Sequence, residues 1–203
     1  MWGATTVATT MIIAALAGVK IFVTGGIGGV HRGVEDTMDI SADLQELART
    51  NVCVICAGAK AILDLPRTLE YLETKGVAVV GYNTSIFPAF FCNESTEKVP
   101  LRLDTPEEIA DMIKVKWDLG LNGGILVANP IDRKYSLSKK IIDKVIDKAI
   151  QEMNSLNIIG KEVTPFLLSK INEITKGNSL AANKQLVYSN CKLAALIAKA
   201  YFE

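Results

Sequence analysis

Three groups of residues in this chain could do chemistry. The first is Thr24-Gly25-Gly26-Ile27-Gly28-Gly29-Val30-His31-Arg32-Gly33, five glycines in ten residues, followed by the carboxylates Glu35, Asp36, Asp39 and Asp43. A glycine-rich turn after an apolar strand gives up side chains so that its backbone can approach something closely, and its exposed amides suit an anion. The second is Lys60, set directly after the apolar run Val52–Ala57 and Gly58-Ala59. Burying an ammonium is costly, so Lys60 is either put to use there or snorkels to the surface. The third is Asn129, in a polar turn closing Gly123–Ala128.

Known nucleotide fingerprints do not describe the glycine stretch. Gly26-Ile27-Gly28 opens a G-x-G-x-x-G pattern, but the sixth position is His31, and no Gly-Lys-Ser/Thr occurs anywhere. The ordinary dinucleotide and nucleoside triphosphate readings therefore fall. Cys53 and Cys56 spell C-x-x-C within an apolar strand, where residues three apart face opposite sides, so they read as core residues rather than a redox or zinc pair. With one histidine in the chain, zinc is disfavoured further.

The elements that must position these groups alternate. Apolar strands are expected over 19–23, 52–57, 77–82 and 123–130, and helices over 41–49, 66–75 and 104–119. From Ser138 the chain reads as helical, with Lys140, Lys144 and Lys148 on a solvated face and further helices opening at Gly160 and Ser179. Gly177-Asn178-Ser179 is either a second anion-contact turn or a plain helix cap. The apolar Met1–Gly18 lacks a basic start and reads as a buried helix, covered on most sides. The fold class is α/β, three-layer α/β/α around a largely parallel or mixed sheet, with a helical C-terminal part in a single domain over 1–203. In such sheets ligands bind outside the carboxyl ends of strands, where the glycine stretch, Lys60 and Asn129 all fall. That convergence makes Lys60 the leading nucleophile.

Lys+Arg and Asp+Glu both number 22, so net charge is zero and favours neither nucleic acid nor an anionic membrane. No stretch is apolar and long enough to span a bilayer, and the cysteine spacing is not that of a secreted disulfide framework. Cytoplasmic surroundings are expected.

Several motifs together resemble the pseudouridine-5'-phosphate glycosidase family, also called indigoidine synthase A-like. They are Gly3-Ala4-Thr5-Thr6-Val7-Ala8, the 24–33 stretch, Asp39-Ile40-Ser41-Ala42-Asp43-Leu44, Cys56-Ala57-Gly58-Ala59-Lys60, Leu69–Thr74, Val127-Ala128-Asn129-Pro130, and Gly160-Lys161 through Thr164–Leu168. The resemblance covers essentially the whole chain. It implies reversible cleavage of the C–C glycosidic bond of pseudouridine 5'-phosphate to uracil and ribose 5-phosphate, with a divalent metal, normally Mn2+, and a homotrimeric assembly.

On that resemblance Lys60 is the amine that attacks C1' of the ribose and later forms an imine. Asp39 is the metal ligand, and Val7, Ser41, Ala42, Asp43 and Asn183 contact substrate. His31 joins them on the residue-level reading alone, as a candidate for the phosphate or its neighbourhood. The resemblance also places a general-acid glutamate and a substrate-contacting lysine in an N-terminal segment absent from these 203 residues. Without that acid a loss of about a hundredfold or more is expected, and the same segment should carry strands of the central sheet, so that an edge is left unpaired here. Ala61 and Asp132 depart from the family pattern. The alternatives are an impaired fragment, half of a split enzyme, a sugar-phosphate-binding protein, or a lysine-imine aldolase acting on another sugar phosphate.

Overall fold

The computed structural model describes residues 5–203, apart from the side chain of Lys161. Gly3 and Ala4 of the first motif lie outside the described residues. The chain begins with helix α1 (Val7–Leu16), strand β1 (Ile21–Val23) and the glycine stretch, which runs into the two-residue strand β2 (Val30–His31). Short helices α2 (Val34–Thr37) and α3 (Ala42–Leu47) lead to β3 (Cys53–Cys56), β4 (Leu63–Asp64), α4 (Leu65–Thr74) and β5 (Ala78–Tyr82). Then come β6 (Leu101–Leu103), α5 (Pro106–Asp118), β7 (Ile125–Ala128), α6 (Lys139–Ser155), α7 (Val163–Ile174) and α8 (Asn178–Phe202).

The main sheet has the order β1-β3-β7-β5-β6 and every pair in it is parallel. The register sorts the side chains by parity, as the two-residue period of a strand requires. Cys53, Ile55, Ile125, Val127 and Val80 pack against Ile109 and Ile113 of α5 and Leu193 and Ile197 of α8. Val54, Cys56, Leu126, Ala128 and Val79 belong to the opposite cluster, with Met11 of α1, Leu44 of α3, Leu72 of α4 and Ile146 of α6. Helices on both faces of a parallel sheet make the three layers that the sequence leads one to expect.

The two cysteines of the C-x-x-C fall in opposite clusters, both fully buried. Burial pushes the Cys56 thiol up to about 12 and that of Cys53 higher still, so neither is a thiolate at neutral pH. Helix starts follow local chemistry. Thr6 caps α1, and Thr105 with Glu108 forms a full capping box on α5, with Pro106 in its first turn. Gly177, at φ +85°, is the N-cap of α8 and offers no side-chain cap, while Ser179 N–H donates to Thr175 Oγ1.

One expectation needs correction. Helix α1 is buried along Val7, Ala8, Met11 and Ala14 only, while Ile12, Ile13 and Leu16 are 43%, 53% and 83% exposed. The buried positions follow helical spacing, so a single stripe meets α3 and the opposite stripe has no neighbour within the described residues. Strands β2, β4 and β6 were not expected either; each is too short for an alternating pattern to register.

The turn after β3 is the tightest backbone approach. Gly58 has φ +83°, and a Cβ there would overlap the carbonyl oxygen of Pro88. Gly58→Ala should therefore cost at least about 3 kcal/mol, combining left-handed strain with the clash. Gly120, at φ +72° with open space around it, should lose only about 1 kcal/mol as Ala. Urea unfolding of the two variants checks the ranking.

Candidate functional site

The glycine stretch continues the β1–β3 ladder beyond both strands. Thr24 N–H donates to Ile55 O at 3.0 Å, Ala57 N–H to Gly25 O at 2.9 Å, Ile27 N–H to Gly58 O at 3.1 Å and Lys60 N–H to Ile27 O at 3.1 Å. Ile27 thus pairs with Ala59 in parallel register, and Lys60 follows directly, its backbone bonded to Ile27 just outside the carboxyl end of the sheet.

Four glycines are bare because four different neighbours occupy the space a Cβ would take. At Gly25 it is Asn183 Oδ1, 3.2 Å from the Cβ position; at Gly26 the ring of Phe90, at 2.6 Å; at Gly29 Thr68 Oγ1, at 2.5 Å. At Gly28 a Cβ would overlap Ser41 Oγ, with Asp43 Oδ2 only 2.8 Å away. The segment is therefore a hub on which α8, the 86–92 loop, α4 and α3 converge.

Asp43 is 3% exposed. Its Oδ2 accepts from Gly28 N–H at 2.7 Å and its Oδ1 from Ala8 N–H at 2.9 Å. The anion held by the Gly28 amide is thus the protein's own carboxylate, which takes that one amide out of the set open to a ligand. Ser41 caps α3, its Oγ accepting from Asp43 N–H at 3.2 Å. Val7 stands beside Ala8 at the start of α1, and Ala42 is exposed.

The β2–β4 pair, antiparallel with His31 opposite Leu63, carries His31 toward Lys60, whose carbonyl accepts from Leu63 N–H at 3.0 Å. His31 N–H donates to Asp39 O at 3.0 Å, and Nδ1 lies 3.8 Å from Asp39 Oδ2. Burial lowers the His31 pKa below its ordinary 6.5; Asp39 opposes this and the Lys60 ammonium adds to it. Asp39 and Lys60 are thus each within electrostatic reach of His31. His31 and Asp39 line a cavity of about 520 Å³ whose apolar wall includes Ile62, Met153, Val163 and Leu167. Lys60, Ser41, Asp43 and Asn183 are not among its walls.

Of Asp39 and Asp43, Asp39 is the one whose carboxylate is open to a divalent cation. Asp39 is 43% exposed at its side chain, whereas both oxygens of Asp43 already accept amides. Among the described residues no three His, Cys, Asp or Glu side chains cluster as a cage. That donor set fits a hard cation held by Asp39 and otherwise hydrated, and it does not fit a dehydrated protein site.

Asn129 turns inward, only 6% exposed, and donates to Ser189 Oγ and Asn190 Oδ1 of α8. Thr68 and Phe90 shape the site without a sequence signal that picks them out, and Asn190 shapes it with them. Thr68 Oγ1 accepts from Val30 N–H at 3.0 Å, and Phe90 sits at φ +61° against Gly26. Asn190 could have been found by its seven-residue spacing from Asn183.

The model for indigoidine synthase A like protein matches residues 1–200. The chain belongs to the indigoidine synthase A-like family. Pseudouridine-5'-phosphate glycosidase of Petrotoga mobilis is 65% identical over 198 residues, which are 98% of this chain and 65% of that protein. Its namesake from Escherichia coli K12 is 60% identical over 199 residues, 98% of this chain and 64% of the relative. The crystal structure of the prealnumycin C-glycosynthase in complex with ribulose 5-phosphate matches with a TM-score of 0.92 at 38% identity, covering 98% of this chain and 66% of that one. An indigoidine synthase A-like protein from Thermotoga maritima gives 0.89 at 38%, covering 97% and 64%. The chain spans about 65% of the length of the curated relatives it matches.

His31 supplies a pH signature for this site. A histidine whose folded pKa is depressed stabilises the fold above its unfolded value, and that stability is lost as pH falls through 6.5 toward the folded value. Thermal melts between about pH 7.5 and about pH 5 should therefore show a steeper acid-side loss for the parent chain than for His31→Gln.

Proposed function

We propose that this chain carries the nucleophile, sugar-phosphate and metal parts of a site that cleaves and forms the C–C glycosidic bond of pseudouridine 5'-phosphate. One observation carries the reading: Lys60, the glycine stretch and Asn183 meet at the carboxyl ends of neighbouring parallel strands, with His31 brought toward Lys60 by the β2–β4 pair and Asp39 bonded to His31. The names of the relatives and the sugar phosphate bound to the prealnumycin C-glycosynthase support the substrate class.

A uracil carbon is a poor leaving group, so covalent assistance is chemically reasonable. In this reading the free-base amine of Lys60 forms a bond to C1' as the C1'–O4' bond breaks, and O4' takes up a proton. The nitrogen lone pair then forms an imine as the C1'–uracil bond breaks and the uracil carbon is protonated. Water hydrolyses the imine, releasing ribose 5-phosphate and restoring Lys60. The general acid is assigned to none of the residues assembled here. His31, favoured as neutral imidazole, lies beside the nucleophile without adding a charge. Val7, Ser41, Ala42 and Asn183 line the substrate, and Asp43 holds the glycine stretch in shape beneath it. Asp39 would hold a divalent cation such as Mn2+, which when bound supplies positive charge to the sugar phosphate through its water shell. The family resemblance supports a homotrimer in the cytoplasm; no helix among the described residues is long and apolar enough to cross a membrane.

Incubation with manganese, ribose 5-phosphate and borohydride should leave a reduced sugar adduct on Lys60, read by intact mass and peptide mapping. Lys60→Ala should abolish it, and an adduct that survives the substitution overturns the nucleophile assignment. Asp39→Ala should remove the manganese dependence of adduct formation; an unchanged metal titration overturns that role.

A further inference from the structure

Asn190 is fully buried on α8 and spends its whole amide on the carboxyl ends of the sheet. Its Nδ2 donates to Thr24 O at 2.9 Å and stands 3.5 Å from Gly25 O, while its Oδ1 accepts from Asn129 Nδ2 at 2.9 Å. Asn129, just past β7, also donates through Nδ2 to Ser189 Oγ at 3.1 Å and through its backbone N–H to Cys56 O at 2.8 Å. One relay of amides thus joins the ends of β1, β3 and β7 to a single helix.

Buried amides are costly unless satisfied, and α8 already packs through Leu186, Leu193 and Ile197 without them. What the relay adds is registry. Asn183 stands two turns before Asn190 on the same helix face, with Oδ1 against Gly25. Lys60 follows Cys56 by four residues and is bonded to Ile27 of the glycine stretch.

We propose that Asn190 is a positioning residue, which through Thr24 and Asn129 sets where Asn183 and the glycine stretch stand relative to Lys60. The kinetic consequence rests on Lys60 being the nucleophile; the structural one does not.

Asn190→Leu keeps size and helix preference while removing both ends of the relay. At saturating ribose 5-phosphate, with manganese and borohydride, the limiting rate of adduct formation on Lys60 should fall at least about tenfold, with the half-saturating concentration held within about threefold. Hydrogen exchange over residues 24–31 and 57–60 should quicken at least about tenfold, with α6 unchanged. A folded variant with parent-like limiting rate and parent-like exchange in those segments overturns the proposal, whatever its melting temperature. Asn190→Asp, of the same shape, keeps the acceptor for Asn129 and loses the donor to Thr24; the same two changes are expected, and it decides the matter if Asn190→Leu does not fold. A parent chain that forms no adduct overturns the Lys60 reading and leaves exchange to judge Asn190 alone.

Discussion

The buried carboxylate of Asp43 is the constraint on which the rest of this site depends. Removing such a charge from water is expensive, and among the described residues no ion pair offsets the cost. Two amides do so instead, one from Gly28 and one from Ala8, the second residue of α1, where the helix dipole adds a further favourable term. Asp43 therefore joins α1, α3 and the glycine stretch into one unit. Ser41 takes part by capping α3 and by filling the volume that any side chain at position 28 would need.

Around that unit the parallel sheet does the rest. Strands β1, β3 and β7 are neighbours, so whatever follows each of them emerges side by side. The glycine stretch follows β1, Lys60 follows β3 and Asn129 follows β7, and the small β2–β4 pair folds His31 back over the second of these. The site is built from segments that leave the sheet and are then bonded to one another, rather than from residues on the strands.

Much of this could be read from the residues. Apolar runs separated by helical patterns imply parallel pairing, and a lysine after such a run stands at the end where ligands bind. The opposed cysteines follow from the period of two. What could not be read is which partner each glycine serves: five glycines in ten residues signal close approach, but Phe90, Thr68 and Ser41 are named only by the folded chain. Asn129 looked like a ligand group because a polar residue closing a strand can turn either way, and here the buried amide of Asn190 draws it inward. The covered N-terminal helix failed for a related reason. Composition tells how apolar a helix is, whereas burial depends on what lies against each stripe.

The bonds that define the site span the chain, from 15 residues between Gly28 and Asp43 to 166 between Thr24 and Asn190. Closing contacts of that separation costs loop entropy, which rises slowly with the length closed. No partly folded intermediate that lacks α8 can hold the glycine stretch and Asn183 together. A ligand that needs both recognises only the finished fold, so it stabilises the native state by an amount that grows with the logarithm of its concentration over its Kd. Any ligand that bridges the glycine stretch and Asn183 would thus protect α1 and the far end of α8 against unfolding though it touches few of their residues.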